Sequence, residues 1–576
     1  MTRTNAADHT LSLPSNSGAH AVGDFHSSTA MPPSSIAPPR TDQIALVFIQ
    51  AGALAVVLAS LPYKPFDLDR YFVPKELVLH IAAAGAALCC LMPRSRISLA
   101  RIDWLLIGYL ALSTVSAVFA SNRWLSTRAL AISLSGAALF WIGRVLRRDG
   151  LARPVLWALG LAGALGAATA LLQAYGVTSE YFSLNRSPGG TFGNRNFMAH
   201  LGAIVAPTII YCGVTARRSA ATLFAGILIA VVAAAEVLSR TRAAWLALLA
   251  AGIPLAIVAW MTRGRWLGRE TSGRFIILGV ATVAGAVIAL VLPNTLEWNS
   301  TSPYLESVRG MVNYQQGSGR GRLVQYTNSL RMMANNPILG VGPGNWGVEY
   351  PRYASRGDPS LSSLDEGMTS NPWPSSDWVA FAAERGAPAT VLLMLIFVAF
   401  LGLAAWHVRV ARGTEGVLSA LVLAGTVIVT LVVGAFDAVL LIAPPTLFVW
   451  LLLGVYSEPV SQSAPRQSMT TGVRQWGPVV VFGLGLLAAG RSALQMAAMA
   501  TVTQSTRTSA LERASLFDPG SYRIHLRLAQ AYVDAGRCDR ARPQARDARD
   551  LYPVAIIPHE LLSQCGESSP RPRRQR

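Results

Sequence analysis

Thirteen apolar runs, each close to the length needed to cross a lipid bilayer, recur along the 576-residue chain. An α-helix rises about 1.5 Å per residue, so roughly 20 apolar residues span a hydrocarbon layer of about 30 Å. Apolar residues make up 52% of the chain and charged residues only 14%, which excludes an ordinary soluble protein of this size. The sequence therefore predicts an all-α polytopic membrane protein with about 12–13 transmembrane helices. The runs cover residues 44–61, 77–93, 104–119, 129–143, 154–175, 197–214, 220–238, 244–261, 275–292, 387–406, 416–435, 438–456 and 477–499.

Basic residues are unevenly divided between the two sets of loops that alternate along these spans. With the N-terminus inside, the inner loops hold seventeen Lys or Arg residues and the short outer loops hold nine. Because cytoplasmic loops carry the excess of Lys and Arg, this bias predicts a cytoplasmic N-terminus. It also places the longest loop, residues 292–386, on the outer face. The net charge of +19 is scattered between apolar runs, which argues against a nucleic-acid partner.

The segments outside the main membrane domain, residues 41–456, differ in composition. Residues 1–40 are rich in Ser, Ala, Pro and Thr and predict a disordered cytoplasmic leader. A polar linker, residues 457–476, precedes the last span at 477–499, where Arg491 interrupts the apolar run and can snorkel to the outer interface. The chain ends in a basic segment, residues 567–576, which is expected to be disordered.

Residues 500–566 form a charged, arginine-rich tail whose spacing resembles a tetratricopeptide unit. Pro519 and Pro553 are 34 positions apart, the period of that repeat. A helical hairpin without a binding role is the alternative, whereas a repeat-like tail predicts a protein partner. In an oxidising compartment, Cys538 and Cys565 can form a disulfide. The helix-packing positions are occupied by Leu528, Ala529, Tyr532, Gly536, Ala541, Ala545, Ala548 and Pro553.

Three arginine-bearing motifs lie at the predicted outer ends of helices. The first is a Gly-rich turn at residues 186–197, which includes Arg186 and Asn196. The second is a short turn with Arg240 and Arg242. Glu236, four residues before Arg240, offers a local neutralising partner as the alternative to a binding role. The third, in the long loop, has Arg320 and Arg322 ahead of a helical pattern.

An arginine guanidinium group can bind two phosphate oxygens at once and stays charged at ordinary pH. Several arginines that converge therefore suit a diphosphate ligand. Solvated surface charge is the alternative for any single arginine. Asp437 lies at the boundary of two late spans, where a charge is costly, and is expected to face the bundle interior. Its partner cannot be predicted from the sequence. The cysteines show no metal-ligand spacing, so no metal site is predicted.

These motifs resemble those of the O-antigen ligase and polymerase family of bacterial membrane glycosyltransferases. The resemblance covers about residues 44–456 and depends on motif order and on the long outer loop after the ninth span. The added tetratricopeptide-like tail is also similar to a known elaboration of the family. The matching motifs are Gly190–Asn196, Ser239–Arg240 with Trp245, Arg322–Leu323 before Tyr326, and Pro337–Asn345.

The resemblance implies transfer of a glycan from a polyprenyl-diphosphate carrier to a lipid or glycan acceptor, in the assembly of cell-surface polysaccharide such as lipopolysaccharide. The reaction is expected on the outer, periplasmic face of the inner membrane, within reach of membrane lipids, and without a metal, nucleotide sugar or other cofactor. On this interpretation the substrate-binding residues are Arg186, Asn196, Arg240, Arg242, Arg320 and Arg322. The arginines would hold the diphosphate and stabilise its departing charge.

One position departs from the family pattern. The family loop usually carries a histidine in a His-Asn-Asp-Tyr-Leu type motif, which is regarded as activating the acceptor hydroxyl. The matching run here is residues 375–379, with Ser375 at the histidine position, and no histidine occurs between residues 293 and 385. Because a carboxylate can accept a proton near neutral pH and a serine cannot, Asp377 and Glu384 are the predicted catalytic residues.

Other interpretations remain open at this stage. Asp377 can be a helix N-cap and Glu384 an ordinary charge on a helix face. The acceptor can need less activation, or the protein can be something other than a transferase. The competing function is a non-catalytic envelope scaffold or a transporter-like relative. Transport predicts ionisable residues buried within spans and an internal repeat, neither of which is clear in the sequence.

Overall fold

The computed structural model describes residues 39–92, 99–298, 302–310, 317–363, 365–458, 471–505 and 507–568. Over these residues the chain forms α-helices, short 3₁₀ turns and loops, with no β-strand. Most of the predicted leader, linker and basic end lie outside the described residues. The helices are α1 Arg40–Leu58, α2 Asp69–Cys90, α3 Arg101–Val118, α4 Arg123–Arg148, α5 Ala152–Ala174, α6 Arg195–Val214, α7 Ser219–Ser239, α8 Arg242–Thr262, α9 Arg269–Val291, α10 Pro303–Arg309, α11 Gly317–Asn335, α12 Trp346–Glu349, α13 Asp377–Val410, α14 Gly413–Phe436, α15 Ala443–Ser457, α16 Thr471–Gln504, α17 Thr508–Phe517, α18 Tyr522–Asp534, α19 Cys538–Leu551 and α20 Ile556–Gln564.

Within the described part of the chain, twelve helices are long and apolar enough to cross a membrane. They are α1 to α9, α13, α14 and α16. A thirteenth apolar helix, α15, has 15 residues and a length of about 22 Å, too short to span the hydrocarbon layer alone. It is buried among its neighbours over nearly its whole length, where irregular backbone at its start is tolerated. The predicted all-α polytopic membrane fold is confirmed.

Helix α13 begins ten residues before the apolar run that predicted it. Ser376 caps its first turn by accepting a hydrogen bond from the Val379 amide, and the helix bends at Gly386. Gly386 has a φ of +77°, and a Cβ there would collide with the carbonyl oxygen of Ile338. The bend lets the long loop pass close to the helix. The apolar run did not predict the true start of α13, because the first turns of the helix contain polar residues.

Ion pairs join loops at the N-terminal face of the bundle, where α1 begins. Arg144 and Arg148 both bind Glu458, at 2.8 and 2.7 Å, and Arg153 binds Glu415 at 2.6 Å. The long loop and the tail lie together on the opposite face, as the alternation of spans requires. The charge bias of the loops predicts that the face where α1 begins contacts the cytoplasm and that the face with the long loop is the outer one.

The long loop has a small core of its own. The indole of Trp346 donates a hydrogen bond to the Ser329 hydroxyl at 2.8 Å, and the Tyr350 phenol donates to Asp358 at 2.7 Å. Burial raises the pKa of the Tyr350 phenol, and its hydrogen bond to the Asp358 carboxylate adds to the shift. Both aromatic rings are fully buried and pack against Met332 of α11. The loop is therefore an ordered cap in which α11 has a defined position.

In the tail, helices α17 to α20 pack as successive antiparallel neighbours. Leu528 and Ala529 of α18 lie buried, as do Ala541, Ala545 and Ala548 of α19, so small residues allow close approach of the pair. Cys538 and Cys565 form a disulfide, with their Cα atoms 5.3 Å apart. The helical hairpin matches the predicted spacing, while the tetratricopeptide assignment stays a prediction.

The tail docks on the loop face through Trp124, at the start of α4. The Trp124 indole donates to Asp518 at 2.8 Å, and the Arg491 guanidinium lies 4.6 Å from the ring centroid. Arg491 also donates to the Trp124 carbonyl at 3.1 Å, so the charge that interrupts the last apolar run reaches the loop face. A second contact joins the amide of Ile556 to the carbonyl of Glu366 in the long loop at 3.0 Å.

Replacing Trp124 should loosen this docking. Trp124→Ala removes the donor to the mostly buried Asp518 and the surface on which Arg491 stacks, at a cost of about 1–3 kcal/mol for the unsatisfied carboxylate. Limited proteolysis between α16 and α17 should accelerate at least tenfold. Trp124→Phe keeps an aromatic ring but loses the N–H, so its cleavage rate should lie between those of wild type and Trp124→Ala. Equal cleavage rates in all three proteins would show that Trp124 does not hold the tail.

Candidate functional site

The Gly-rich turn before α6 is held from below by α5. The Gln173 side-chain oxygen accepts hydrogen bonds from the amides of Gly189 and Gly190, at 3.0 and 2.8 Å. Gly190 has a φ of +51°, and a Cβ there would collide with Thr169. These two amides are therefore taken by the protein. The turn serves to place the first residues of α6, Arg195 and Asn196, at the loop face of the bundle.

A left-handed residue makes the turn between α7 and α8. Arg240 has a φ of +53°, and its guanidinium binds the Ser307 hydroxyl at 2.9 Å and the Glu306 carboxylate at 3.5 Å. The alternative partner, Glu236, does not bind it. The Glu236 carboxylate instead packs against Gly202 of α6, buried and without a hydrogen-bond partner among the described residues. The arginine turn is thus held by the long loop and not by its own helix.

Four arginines converge at this corner of the structure. The charges of Arg186, Arg240 and Arg242 all act on the Arg195 guanidinium. Arg195 and Arg240 both lie over the Trp298 ring, at 5.1 and 4.5 Å from the ring centroid. Arg242 donates to the Gly310 carbonyl at 2.5 Å. Arg240 forms an ion pair with Glu306, whose side chain is 64% exposed. Four guanidinium groups thus concentrate positive charge at this corner, which suits an anionic ligand.

Asn196 connects the arginine cluster to Asp437. Its amide nitrogen donates to Asp437 Oδ2 at 2.9 Å, and its side-chain oxygen accepts from the Thr241 hydroxyl at 3.4 Å. Thr241 lies between Arg240 and Arg242. The partner of Asp437 that the sequence could not provide is thus Asn196, and the predicted substrate-binding residue belongs to a hydrogen-bonded chain between two parts of the site.

The third arginine motif reaches the same region from the long loop. On α11, the Tyr326 hydroxyl lies 2.6 Å from the Ser375 carbonyl and 2.9 Å from the Ala435 carbonyl, and Gln325 accepts from the Ser375 amide at 2.7 Å. These bonds hold α11 against the start of α13 and the end of α14. Arg322, one turn earlier, is half-buried, and its charge acts on the His200 ring of α6. Arg320 is exposed to solvent. Arg322 therefore joins the site, whereas Arg320 lies at its edge.

Both predicted catalytic carboxylates are buried and bound to backbone amides. Asp377 accepts from the amides of Val439 and Leu440 at 3.0 and 2.7 Å, and so holds the segment before α15. Glu384 accepts from the amides of Gly344 and Trp346 at 2.8 and 3.1 Å, and so holds the glycine turn of the long loop. Their catalytic role stays a prediction, against which these bonds argue. The helix cap at this position is Ser376 and not Asp377.

The structure adds members to the site that the sequence interpretation did not select. Arg195 extends the arginine cluster, and Trp298 provides the surface on which two arginines stack. His200 lies fully buried one turn below Asn196, and its ring is under the influence of Asp437 and Arg322. Arg195 could have been selected from its place beside Asn196. His200 sits in an apolar run without a distinguishing pattern.

A cleft of about 590 Å³ lies away from these residues, between the α3–α4 turn and the tail. It contains Asn122 and Trp124 on one side and His525, Asp547 and Asp550 on the other. None of its lining residues belongs to the arginine cluster, and it results from the docking of the tail.

The fold defines a multi-pass membrane protein whose loop face gathers cations around Asn196. The sequence profile of the family described as O-antigen ligase matches residues 225–394. The match confirms the predicted resemblance, and over these residues the chain is similar to the O-antigen ligase family. No curated protein sequence matches the chain. The matched residues include Arg240, Arg242, Arg320 and Arg322 and end before Asp437.

Proposed function

We propose that the protein transfers a glycan from a polyprenyl-diphosphate carrier to an acceptor hydroxyl at the outer face of the inner membrane. The observation that carries this proposal is the convergence of Arg186, Arg195, Arg240 and Arg242, joined through Asn196 to the region of Arg322. A diphosphate has several anionic oxygens within a few ångströms. A cluster of arginine guanidinium groups can bind these oxygens together, so a diphosphate suits the cluster better than a ligand with a single carboxylate does.

The lipid part of the carrier has a path beside these arginines. Helices α8 and α9 flank the cluster. In each of them, only 17% of the most apolar stretch is buried inside the protein. Ile253, Ile257, Val280 and Val283 are more than half exposed. A polyprenyl chain lying along this surface in the bilayer would bring its diphosphate to the level of Arg240 and Arg242, where α7 ends and α8 begins.

In the transfer itself the arginines act on the leaving group. The bond between the anomeric carbon and the diphosphate oxygen breaks, and its electron pair leaves with the diphosphate. Fixed cations aimed at this developing charge stabilise the transition state more than the ground state. Contact with the Trp298 ring helps to keep the Arg195 and Arg240 side chains in place, so little reorganisation is needed.

The outer-face location is supported by two independent features. The charge bias of the short loops favours a cytoplasmic N-terminus. The Cys538–Cys565 disulfide belongs to the tail, on the same face as the long loop, and disulfides persist in oxidising compartments. Both features favour a periplasmic site, where lipid-linked glycans are accessible.

Transfer can be measured directly with the purified protein in nanodiscs, by following release of the polyprenyl diphosphate from a synthetic glycan donor. Wild type should release it only when an acceptor glycan or lipid is present. Arg240→Ala should raise the donor KM at least tenfold, since a charge-assisted hydrogen bond contributes about 1.5–3 kcal/mol. Arg263→Ala, at the other end of α8, is the matched control and should leave the donor KM unchanged. Equal donor KM values in all three proteins would contradict the assignment of the arginine turn.

Proton-coupled transport is the second candidate, because Glu236 is a buried carboxylate in α7 whose two oxygens have no hydrogen-bond partner among the described residues. Glu236→Gln separates the two functions. A transporter would lose solute uptake with this change, while a transferase would keep its rate of diphosphate release.

A further inference from the structure

The transfer proposed above needs a group that takes the proton of the acceptor hydroxyl, and neither carboxylate predicted for this role is available. Asp377 and Glu384 each accept from two backbone amides, and their side chains are almost completely buried, so an acceptor hydroxyl cannot reach them. Ser375, at the position of the family histidine, is held by its own backbone, its amide on Gln325 and its carbonyl near the Tyr326 hydroxyl. The base must therefore come from another element, and the inference below rests on the proposed function.

Asp437 is a carboxylate of this corner that, unlike Asp377 and Glu384, is partly exposed. It lies in the irregular segment between α14 and α15, is half-buried, and faces the start of α6. Its oxygens accept from the Asn196 side chain at 2.9 Å and from the adjacent Ala438 amide at 2.9 Å. An ionised carboxylate can accept about four hydrogen bonds, so each oxygen retains a free lone pair.

The backbone around Asp437 is fixed by its neighbours. Asp377 holds the two amides that follow, those of Val439 and Leu440, and the Tyr326 hydroxyl lies near the carbonyl of Ala435 two residues before. The Asn196 bond connects the carboxylate to the turn of Arg240 and Arg242 through Thr241. Asp437 is thus held rigidly beside the cations assigned to the diphosphate, as a base must be to reach the same sugar.

His200 lies behind this arrangement. It follows Asn196 by four residues on α6 and so shares its helix face. The His200 side chain is completely buried, yet neither ring nitrogen has a hydrogen-bond partner among the described residues. The charged groups that act on it are Asp437, from the α14–α15 segment, and Arg322, from α11. Buried polar groups are normally satisfied, and those that are not tend to mark functional sites.

We propose that Asp437 is the catalytic base that activates the acceptor hydroxyl and that His200 is its positioning residue. The hydroxyl oxygen forms the new bond to the anomeric carbon as the carbon–oxygen bond to the diphosphate breaks. The proton of the hydroxyl passes to a free lone pair of Asp437, and the electron pair of the broken bond leaves on the diphosphate. His200 acts through Asn196, which lies one helical turn away on α6 and whose side chain donates to Asp437.

Asp437→Asn tests the base. It keeps the shape of the side chain, so donor binding should be unchanged, while kcat should fall by about 10²–10⁴, the contribution typical of a general base. Asp437→Glu should recover part of the rate. Asp67→Asn, an exposed carboxylate on the same face, is the matched control and should retain wild-type kcat. The readouts are the kcat and donor KM of diphosphate release, with donor binding measured separately by fluorescence quenching of a labelled lipid diphosphate.

His200→Leu tests the positioning role through two measurements, the unfolding temperature and kcat. If His200 had only a structural role, the change would lower both. Removing two unpartnered buried nitrogens should leave the unfolding temperature unchanged or raise it. The kcat should nevertheless fall at least tenfold, and the change should have no further effect in the Asp437→Asn background, because coupled residues are not additive. A wild-type kcat in His200→Leu would remove His200 from the mechanism.

The failures of the two proposals are distinguishable. If Asp437→Asn keeps a kcat within threefold of wild type while Arg240→Ala raises the donor KM, the base assignment is overturned and the proposed function stands. If wild type neither binds the lipid diphosphate nor releases it from the donor, the proposed function falls, and the assignment of Asp437 falls with it.

Discussion

Arg322→Ala should lower glycan transfer by about 10²–10³-fold while leaving the unfolding temperature unchanged. This is the loss typical of removing one preorganised donor from a developing negative charge. Arg322 is half-buried between α11 and the bundle, and no carboxylate among the described residues pairs with it. On the proposed function, a guanidinium in such a position is available to bind the anionic donor, since no carboxylate among the described residues neutralises it. Its removal should therefore affect the reaction and not the fold.

The same assay of diphosphate release provides the measurement, with a thermal unfolding curve on each variant. Arg320→Ala is the matched control, because Arg320 is on the same helix two residues earlier but exposed. It should lose less than threefold. Arg322→Lys should recover little, because an ammonium group cannot bind two oxygens in a fork. If Arg320→Ala is as damaging as Arg322→Ala, α11 contributes general positive charge and not a specific contact.

The sequence was sufficient for the fold class because membrane spans leave a strong compositional signal. Apolar runs must be helical in lipid, where every backbone group needs an internal partner, so run lengths predict helix positions well. The ends were less accurate where polar residues continue a helix past the bilayer. Helix α2 begins at Asp69, eight residues before its apolar run, and α13 begins at Asp377.

The arginines of the short turns were predictable because they belong to short motifs at the outer ends of apolar spans. Arg186, Arg240 and Arg242 do converge. Their neighbours were harder to predict, since contacts between distant segments decide them. Arg385 illustrates this, because it belongs to the predicted outer loop yet lies buried, where it donates to the Tyr109 phenol and the Ser113 hydroxyl. Charge and position in the sequence alone cannot separate it from Arg322.

The two acidic residues near Ser375 show the same limit. Their partners are amides 38 to 63 residues away along the chain, in segments whose approach depends on the bend at Gly386 and on the start of α15. A local pattern contains no information about such a partner. His200 was missed for the opposite reason, since its importance depends on the partners that its ring nitrogens lack.

Glu384 gives the prediction with the largest expected effect on stability. Glu384→Ala would leave the buried amides of Gly344 and Trp346 without acceptors, at about 1–3 kcal/mol each, or about 2–6 kcal/mol in total. The turn that these amides belong to carries Gly340 and Gly342 in left-handed conformations and packs directly on the start of α13. Thermal or denaturant unfolding in detergent should show the loss as a lower transition midpoint, with α11 and the cap over the site loosened first.

Glu384→Gln separates a structural carboxylate from a catalytic one. The glutamine oxygen can accept from one of the two amides, but its NH₂ group faces the other, so about half of the stability loss should remain. The kcat per folded molecule should stay near that of wild type, because Glu384 holds the loop and does not meet the substrate. A catalytic Glu384 would give the opposite pattern, with an unchanged midpoint and a kcat lowered by about 10²–10⁴. That result would return the base to α13 and exclude Asp437 from the role.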